Sequence, residues 1–314
     1  MLKVGLIGAG GISGAHVPSW EKNPYAEAVA ICDIRPEMLE KYPQLRHYTD
    51  FESMLAQEEL DIIDICLPTY LHAEYAIKAM DKGLHVITEK PISLREEDIT
   101  RIYAAAERNH VKFMVAQVLR FWPEYDMVRQ LHTSGRYGKI LSGNMYRLGC
   151  YPASAWEGWM MKEELSGLVP FDLHIHDSDF LVYTFGDPKK VTSFRSKKPD
   201  QDYITAIYEY EDFFVNTQAS WYASPYPFTA EFMFQFEEAV VAYQKGKFLI
   251  YERNGRILDL TDPESEHDGL ELSTENPYAA EIRHFTECIV NDCDTKEKVS
   301  PESLTTVMRI LKSL

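Results

Sequence analysis

The sequence predicts a two-domain chain, α/β followed by α+β. A doubly wound parallel sheet occupies the first third, and an open, mainly antiparallel β-sheet with few helices occupies the rest. Three observations predict it. A strand-like Leu2-Lys3-Val4 leads straight into the glycine-rich turn Gly5-Leu6-Ile7-Gly8-Ala9-Gly10-Gly11-Ile12-Ser13. Apolar strands then alternate with helical stretches of roughly 10–15 residues as far as Ala116, the rhythm of parallel βαβ units joined by right-handed crossovers. From Ile140 onward strand formers and aromatics dominate, punctuated by hairpin signals such as Glu211-Asp212 and Lys245-Gly246.

Each element follows from local chemistry. A glycine turn between a strand and a helix lets backbone N–H groups approach a phosphate, and the helix N-terminus adds donors and partial positive charge. Gly8 makes the tight turn and Gly10 keeps the backbone open to a pyrophosphate. Ser13 stands where a third glycine is usual, and is small enough for close helix–strand packing. The strand 26–33 ends in Asp33, placed to accept the ribose hydroxyls of NAD, whereas Arg35 suits the 2′-phosphate of NADP. NAD is the expected cofactor and NADP the alternative; in the blandest reading Asp33 only caps the following turn. Helices at 36–42 and 51–57, a strand at 61–67 closed by Pro68, and a helix ended by Gly83 come next. A strand at 84–88, a helix at 96–109 and a strand at 111–116 complete a Rossmann dinucleotide-binding domain over 1–118. The remainder, 119–314, is expected to form the substrate-binding and oligomerisation domain. It opens on a helix at 121–133 and continues with strands at 140–147, 191–196, 203–210, 213–221, 230–236, 239–243 and 248–251. Two helices, 277–291 and 301–312, close it, the last able to pack back on the first domain.

Composition narrows the function classes. With 32 basic and 49 acidic residues the formal charge is −17, which argues against broad nucleic-acid or anionic-membrane binding. No apolar run reaches the ~20 residues of a bilayer span, and Met1 leads directly into a strand, so no signal peptide is expected. The 5 cysteines form no C-x-x-C pair, as expected of a reduced, cytoplasmic protein.

Two constellations point to chemistry. Glu89-Lys90-Pro91 ends the fourth strand, at the edge where open α/β sheets bind ligands, and the proline biases Lys90 toward an extended backbone. Isolated surface lysines are mostly just solvated. Further on, Asp172-Leu-His-Ile-His176-Asp-Ser-Asp179 opens a helix. At α-helical spacing Asp172, His176 and Asp179 share a face and His174 points away. A carboxylate one turn from an imidazole fixes its tautomer and stabilises its charge, as a general base needs. A helix cap and a satisfied core histidine are the plainer readings, and no further His/Cys cluster completes a metal shell, so no metal is expected. Arg120, beyond the fifth strand, serves either substrate contact or an interdomain salt bridge. Tyr146, Arg147 and Trp156 are candidates for a polyol-lining pocket, although aromatics in a sheet are more often core.

Taken together, these segments resemble the glucose–fructose oxidoreductase / inositol dehydrogenase / MocA (Gfo/Idh/MocA) family of NAD(P)-dependent oxidoreductases over nearly the whole chain. The likeness rests on Gly8-Ala9-Gly10-Gly11-Ile12-Ser13 with His16, the stretch from Asp61 through Pro68 and His72 to Glu89-Lys90-Pro91, and Arg120-Phe121-x-Pro123. It continues through Asp172-x-x-x-His176-x-x-Asp179 to Asn276-Pro277-Tyr278. It departs at Leu168 and His174, where glycine is common. The resemblance implies Lys90, Asp172 and His176 as the catalytic group, facing the nicotinamide across a domain cleft. It implies cofactor contacts from Gly8, Gly10, Gly11, Ile12, Asp33, Ile34, Arg35, Cys66, Leu67, Pro68, Tyr70, His72, Glu89, Lys90 and Gln117. Substrate contacts would come from Lys90, Arg120, Tyr146, Arg147, Trp156, Asp172 and His176. The implied reaction is hydride transfer between nicotinamide and a secondary alcohol of a sugar, inositol or related polyol. An NAD-dependent glycoside hydrolase and a non-enzymatic cofactor-sensing regulator are the competing readings. A homodimer or homotetramer through the second-domain sheet is also implied.

Overall fold

The computed structural model describes residues 1–314. In chain order it begins with β1 (Leu2–Ile7), α1 (Ser13–Trp20), β2 (Ala26–Cys32), α2 (Pro36–Leu39), β3 (Arg46–Tyr48) and α3 (Phe51–Gln57). Next come β4 (Ile62–Ile65), α4 (His72–Met80), β5 (His85–Glu89), α5 (Glu96–Arg108) and β6 (Phe113–Ala116). Helix α6 (Pro123–Ser134), β7 (Ile140–Cys150), α7 (Glu163–Ser166) and α8 (Ile175–Phe185) lead into the second sheet. That sheet continues through β8 (Lys190–Lys198), β9 (Gln201–Glu209), β10 (Phe214–Tyr222), β11 (Thr229–Phe236), β12 (Ala239–Gln244), β13 (Lys247–Glu252) and β14 (Ile257–Asp259). Helices α9 (Pro277–Val290) and α10 (Pro301–Ser313) end the chain. Two compact units result: Met1–Phe121 with Glu275–Thr305, and Trp122–Thr274 with Thr306–Leu314. The segment carrying α9 thus groups with the first unit.

In the first unit a 6-stranded sheet has the order β3-β2-β1-β4-β5-β6, and every pairing is parallel. Parallel strands are covered on both faces, which is why β4 and β6 are buried at every residue and read as unbroken apolar runs apart from Asp64. The order reverses between β1 and β4, so the crevice at their carboxyl ends is the switch point of the sheet. Local signals set the helix ends. The Asp50 carboxylate accepts the Ser53 N–H at the start of α3, and Asn276 accepts the Tyr278 and Ala279 N–H groups at the start of α9.

In the second unit an 8-stranded sheet has the order β14-β13-β12-β11-β7-β10-β9-β8. It is antiparallel except where β7 pairs with β10. Burial alternates along β7 and β9. Ile204, Ala206 and Tyr208 of β9 face inward, while Ile207 is exposed. The inner face packs on α6 and α8 through edge-on rings, Tyr125 against Phe180 and Phe232, and Phe180 against Phe234. Gly143 in β7 is required there, because a Cβ would stand 2.6 Å from the Phe234 ring. The short strands β3 and β14 and the one-turn helix α7 lack a counterpart in the sequence reading. No helix is long and apolar enough to cross a membrane.

Candidate functional site

The glycine turn after β1 is shaped for a phosphate. Gly8 carries φ +96°, and a Cβ there would collide with the Cys66 carbonyl oxygen at the end of β4, so only glycine fits. Gly10 and Gly11 have open space where a Cβ would stand. The Gly8 N–H donates to Cys32 O and the Ala9 N–H to Asp33 Oδ2, both at 2.8 Å. From Gly10 to Ile12 the N–H groups have no protein acceptor, and α1 starts without a side-chain cap. Unshared donors, open space and a helix N-terminus together make an anion cradle. Ser13 does more than fill the third glycine's place: its hydroxyl donates to Gly10 O at 2.7 Å and accepts from Tyr42 Oη at 2.8 Å, bracing the turn.

Asp33 follows β2 directly, and four donors meet its carboxylate. Oδ2 takes Ala9 N–H (2.8 Å) and Arg35 Nη2 (3.0 Å), and Oδ1 takes Arg35 N–H and Nε (both 2.9 Å). Burial opposes the charge, yet the hydrogen bonds from Arg35 and Ala9 hold this carboxyl below the ordinary range. Ile34 and Tyr70 are exposed, and Leu67 and Pro68 are half-buried. Gln117, just past β6, is buried and its Nε2 donates to nothing in the protein. A buried amide left unsatisfied at a strand's carboxyl end is the kind of group a ligand completes. The cradle, the acid after β2 and this orphan donor fit a dinucleotide.

At the end of β5 the side chains form a buried polar chain. His16 Nδ1 meets Asp64 Oδ2 at 2.8 Å and His16 Nε2 meets Glu89 Oε1 at 3.0 Å. Asp64 Oδ2 also accepts Trp20 Nε1–H at 2.7 Å, and Glu89 Oε2 accepts the Lys90 N–H at 3.1 Å. Burial disfavours a charged imidazole, but the Asp64 carboxylate outweighs it and raises the His16 pKa well above 6.5. The Cys66 thiol is pushed up to about 12, by burial first and by Asp64 second. His16, Asp64 and Cys66 offer ligand-type atoms within 4.8 Å of one another. Each is already engaged with another member, which makes a hydrogen-bond network and not an open coordination site. His72 Nδ1 lies 2.7 Å from Pro91 O and Nε2 2.8 Å from Leu67 O; burial lowers its pKa, and the neutral ring donates to one of the two carbonyls. The Lys90–Pro91 peptide is cis, and the Lys90 side chain is half-buried.

In the second unit Asp172 lies in a π-helical turn, Pro170–His174, and α8 begins only at Ile175. The continuous α-helix read from Asp172 onward is therefore corrected: a π turn precedes it. Asp172 and His176 are half-buried, whereas Asp179 is buried. His174 points into the sheet, its Nε2 2.9 Å from Tyr208 Oη, and burial, with Arg147 adding to it, pushes its pKa down to about 3. It is a neutral core histidine. Leu168, at one of the positions departing from glycine, holds φ +59° and is buried against Val169, Ile204, Ala219 and Trp221. That packing offsets a left-handed backbone cost of about 1–2 kcal/mol.

Two expected substrate contacts are corrected. Arg147 is 4% exposed, and its guanidinium reaches Asp177 at 2.8 Å and Tyr125 Oη at 2.8 Å inside the core. Tyr146 and Arg147 are neighbours in a strand, so they point to opposite faces, and only Tyr146 lies on the half-open one. Arg120 is 2% exposed and donates to Lys298 O (2.6 Å) and Ser303 Oγ (3.1 Å), securing the link between α9 and α10. Trp156 is half-buried at the head of the 3₁₀ turn Trp156–Met161. The sequence reading missed Asp64, Trp20 and Tyr42. A signal for Asp64 was present: one carboxylate inside Ile62-Ile63-Asp64-Ile65 must find buried partners.

Comparison with known proteins adds the ancestry. Residues 2–117 match the model described as an oxidoreductase family with an NAD-binding Rossmann fold, and residues 125–248 match the GFO/IDH/MocA C-terminal domain. The D-apiose dehydrogenase of Paraburkholderia graminis is 29% identical over 199 residues, 62% of this chain and 52% of that protein. A 2,7-anhydro-N-acetylneuraminate hydratase of Escherichia coli is 29% identical over 196 residues, 61% of this chain and 52% of that protein. The chain therefore spans about half the length of the curated relatives it matches. A levoglucosan dehydrogenase solved with NADH shares the fold at TM-score 0.83 and 20% identity, covering 99% of this chain and 95% of that one. With both of its domain models matched in order along the sequence, the chain belongs to the GFO/IDH/MocA family, whose first domain is an NAD-binding Rossmann fold.

Proposed function

We propose that this protein is an NAD(P)-dependent dehydrogenase acting on a secondary alcohol of a sugar or related polyol. The observation that carries this reading is the presence of all three expected reactive groups, half-buried: Lys90 past the end of β5, and Asp172 and His176 on the π turn and the start of α8. Sugar dehydrogenases among the relatives support the substrate class. Bound nicotinamide would supply the hydride acceptor. His176 takes the hydroxyl proton as general base, and Asp172 orients its ring and stabilises its charge. Lys90 hydrogen-bonds the reacting oxygen and stabilises the negative charge that develops there. The domain reading of 1–118 for cofactor and 119–314 for substrate and self-association is part of the proposal. The outer face of the second sheet, where Phe194, Ile207, Phe214 and Met233 are exposed, supports assembly through that face.

The test titrates NAD⁺, NADH, NADP⁺ and NADPH into the protein by calorimetry, then screens sugars and polyols by nicotinamide absorbance. Micromolar binding of one redox pair and turnover of a polyol are expected. Binding of none of the four by nucleotide-free protein would sink the dehydrogenase reading. The hydratase relatives favour one second reading, a redox-neutral reaction on a sugar ring in which no reduced cofactor accumulates. Product analysis on an anhydro sugar, with absorbance unchanged, would select it.

A further inference from the structure

We propose that Cys293 and Cys288 form a peroxide-reactive dithiol, in which Cys293 is oxidised and Cys288 resolves it into a reversible disulfide. The pair stands at the carboxyl end of α9 and takes no part in the reaction proposed above. The way that helix stops brings the two side chains together. Helix α9 ends at Val290, Asn291 caps it, and Asp292 turns left-handed at φ +54°. Past a left-handed residue the chain folds back, and the second residue beyond the cap commonly contacts the third from the helix end. Here those residues are Cys293 and Cys288. Both sides of Cys293 are tied to the start of β6. Lys112 Nζ donates to the Asp292 carboxylate at 2.7 Å, and Thr295 Oγ1 donates to Phe113 O at 2.7 Å. The two thiols sense each other: burial first, and the neighbouring Cys293 second, push Cys288 up to about 12.

Exposure sets the order of events. Cys293 is exposed and Cys288 is buried, so the oxidant reaches Cys293 and not its partner. Hydrogen peroxide transfers one oxygen to the Cys293 sulfur, giving a sulfenic acid and one water. The Cys288 sulfur then attacks the Cys293 sulfur; the S–S bond forms and the S–O bond breaks. The Cys288 proton has an acceptor at hand, His284 Nε2, 3.8 Å from the sulfur. Burial first, and Lys298 second, lower the pKa of that imidazole, which keeps it neutral and able to take the proton. The imidazole returns the proton to the departing hydroxide, which leaves as the second water. The two cysteines together lose two electrons and two protons, and one peroxide becomes two waters. An exposed thiol without a resolving partner climbs from sulfenic to sulfinic acid, which reductants do not reverse. The pairing at the end of α9 diverts Cys293 from that course.

The experiment treats the intact chain with hydrogen peroxide at a dose that oxidises the exposed Cys150, then blocks the remaining thiols with N-ethylmaleimide. Tryptic peptides are mapped by mass spectrometry. Cleavage after Arg283 and Lys296 leaves both cysteines on one peptide, 284–296. That peptide should appear unalkylated and lighter by the two hydrogens lost, and dithiothreitol before blocking should restore two alkylated thiols. With dimedone present, Cys288→Ser should raise the adduct at Cys293 about tenfold over wild type, since nothing resolves the sulfenic acid. In Cys293→Ser, oxidation of Cys288 should fall about tenfold or more, because a buried thiol is inert alone. A wild-type peptide 284–296 that stays reduced while Cys150 is oxidised overturns the proposal. So does sulfinic acid at Cys293 in place of the bond, or a disulfide from Cys293 to a second chain. If Cys288→Ser fails to fold, as judged by circular dichroism, the wild-type map and Cys293→Ser, a change at an exposed position, carry the same decision.

Discussion

The two units bury polar groups for different ends. In the first, His16, Asp64, Trp20, Glu89 and His72 are gathered at the carboxyl ends of parallel strands, next to the glycine cradle. In the second, Arg147, Asp177, Tyr125, His174, Tyr208 and Ser178 bond to one another between helix and sheet, inside the core. A parallel sheet sends every strand's carboxyl end to one edge, so position in the sequence announces a role. An antiparallel sheet has no such edge, and a buried polar residue there is as readily scaffold as site. The difference explains why Lys90 stands out by its strand position, whereas nothing in the sequence shows that Arg147 is held in the core.

The sharpest way to break this contrast is to compare His176 with its neighbour Asp177. His176→Ala should lower kcat by about 10²–10⁴-fold while leaving the melting temperature near that of wild type. Unchanged turnover would remove His176 from the reaction and leave the second unit without its base. Asp177→Ala should do the reverse: an Arg147 guanidinium left buried without its carboxylate costs about 3–5 kcal/mol of stability, read by urea unfolding. A stable Asp177→Ala with altered substrate preference would instead restore Arg147 to the site.

A subtler test concerns the first unit's charged network. The folded pKa of His16 lies above its unfolded value near 6.5, so its contribution is complete below that value and is lost as pH rises toward the folded one. The stability difference between wild type and His16→Gln should therefore shrink above pH ~6.5, by about 1.4 kcal/mol per unit at most. A difference that grows with pH would mean that His16 is neutral between its two carboxylates. The smallest expected effect is at Asp33. Its four acceptor positions are filled, three of them by Arg35, so Arg35→Ala should favour NAD over NADP by roughly three- to tenfold in the ratio of Kd values. A shift toward NADP would assign Arg35 to something other than phosphate recognition.

Much of the fold was legible because its signals are local. Strand and helix periods and the glycine turn each lie within a few residues of what they specify. The short strands β3 and β14 were not, since three residues carry too little periodicity to be told from loop. Motif and spacing single out Lys90, Asp172 and His176 in the sequence, yet not the π turn beneath Asp172, because no residue type demands one. Arg147 and Arg120 looked like ligand-binding cations because charge is visible in a sequence and its partner is not.

What the sequence determined by itself was the order of elements, the phosphate-shaped turn, the acid after β2, and the family to which these belong. Each rests on residues that act on their own neighbourhood. What only the tertiary structure decided was which polar groups are satisfied by one another. His16 finds Asp64 and Glu89 across 48 and 73 residues, and Arg147 finds Asp177 across 30. Such pairings are settled by packing, since a buried charge is tolerated only where the fold brings its counterpart.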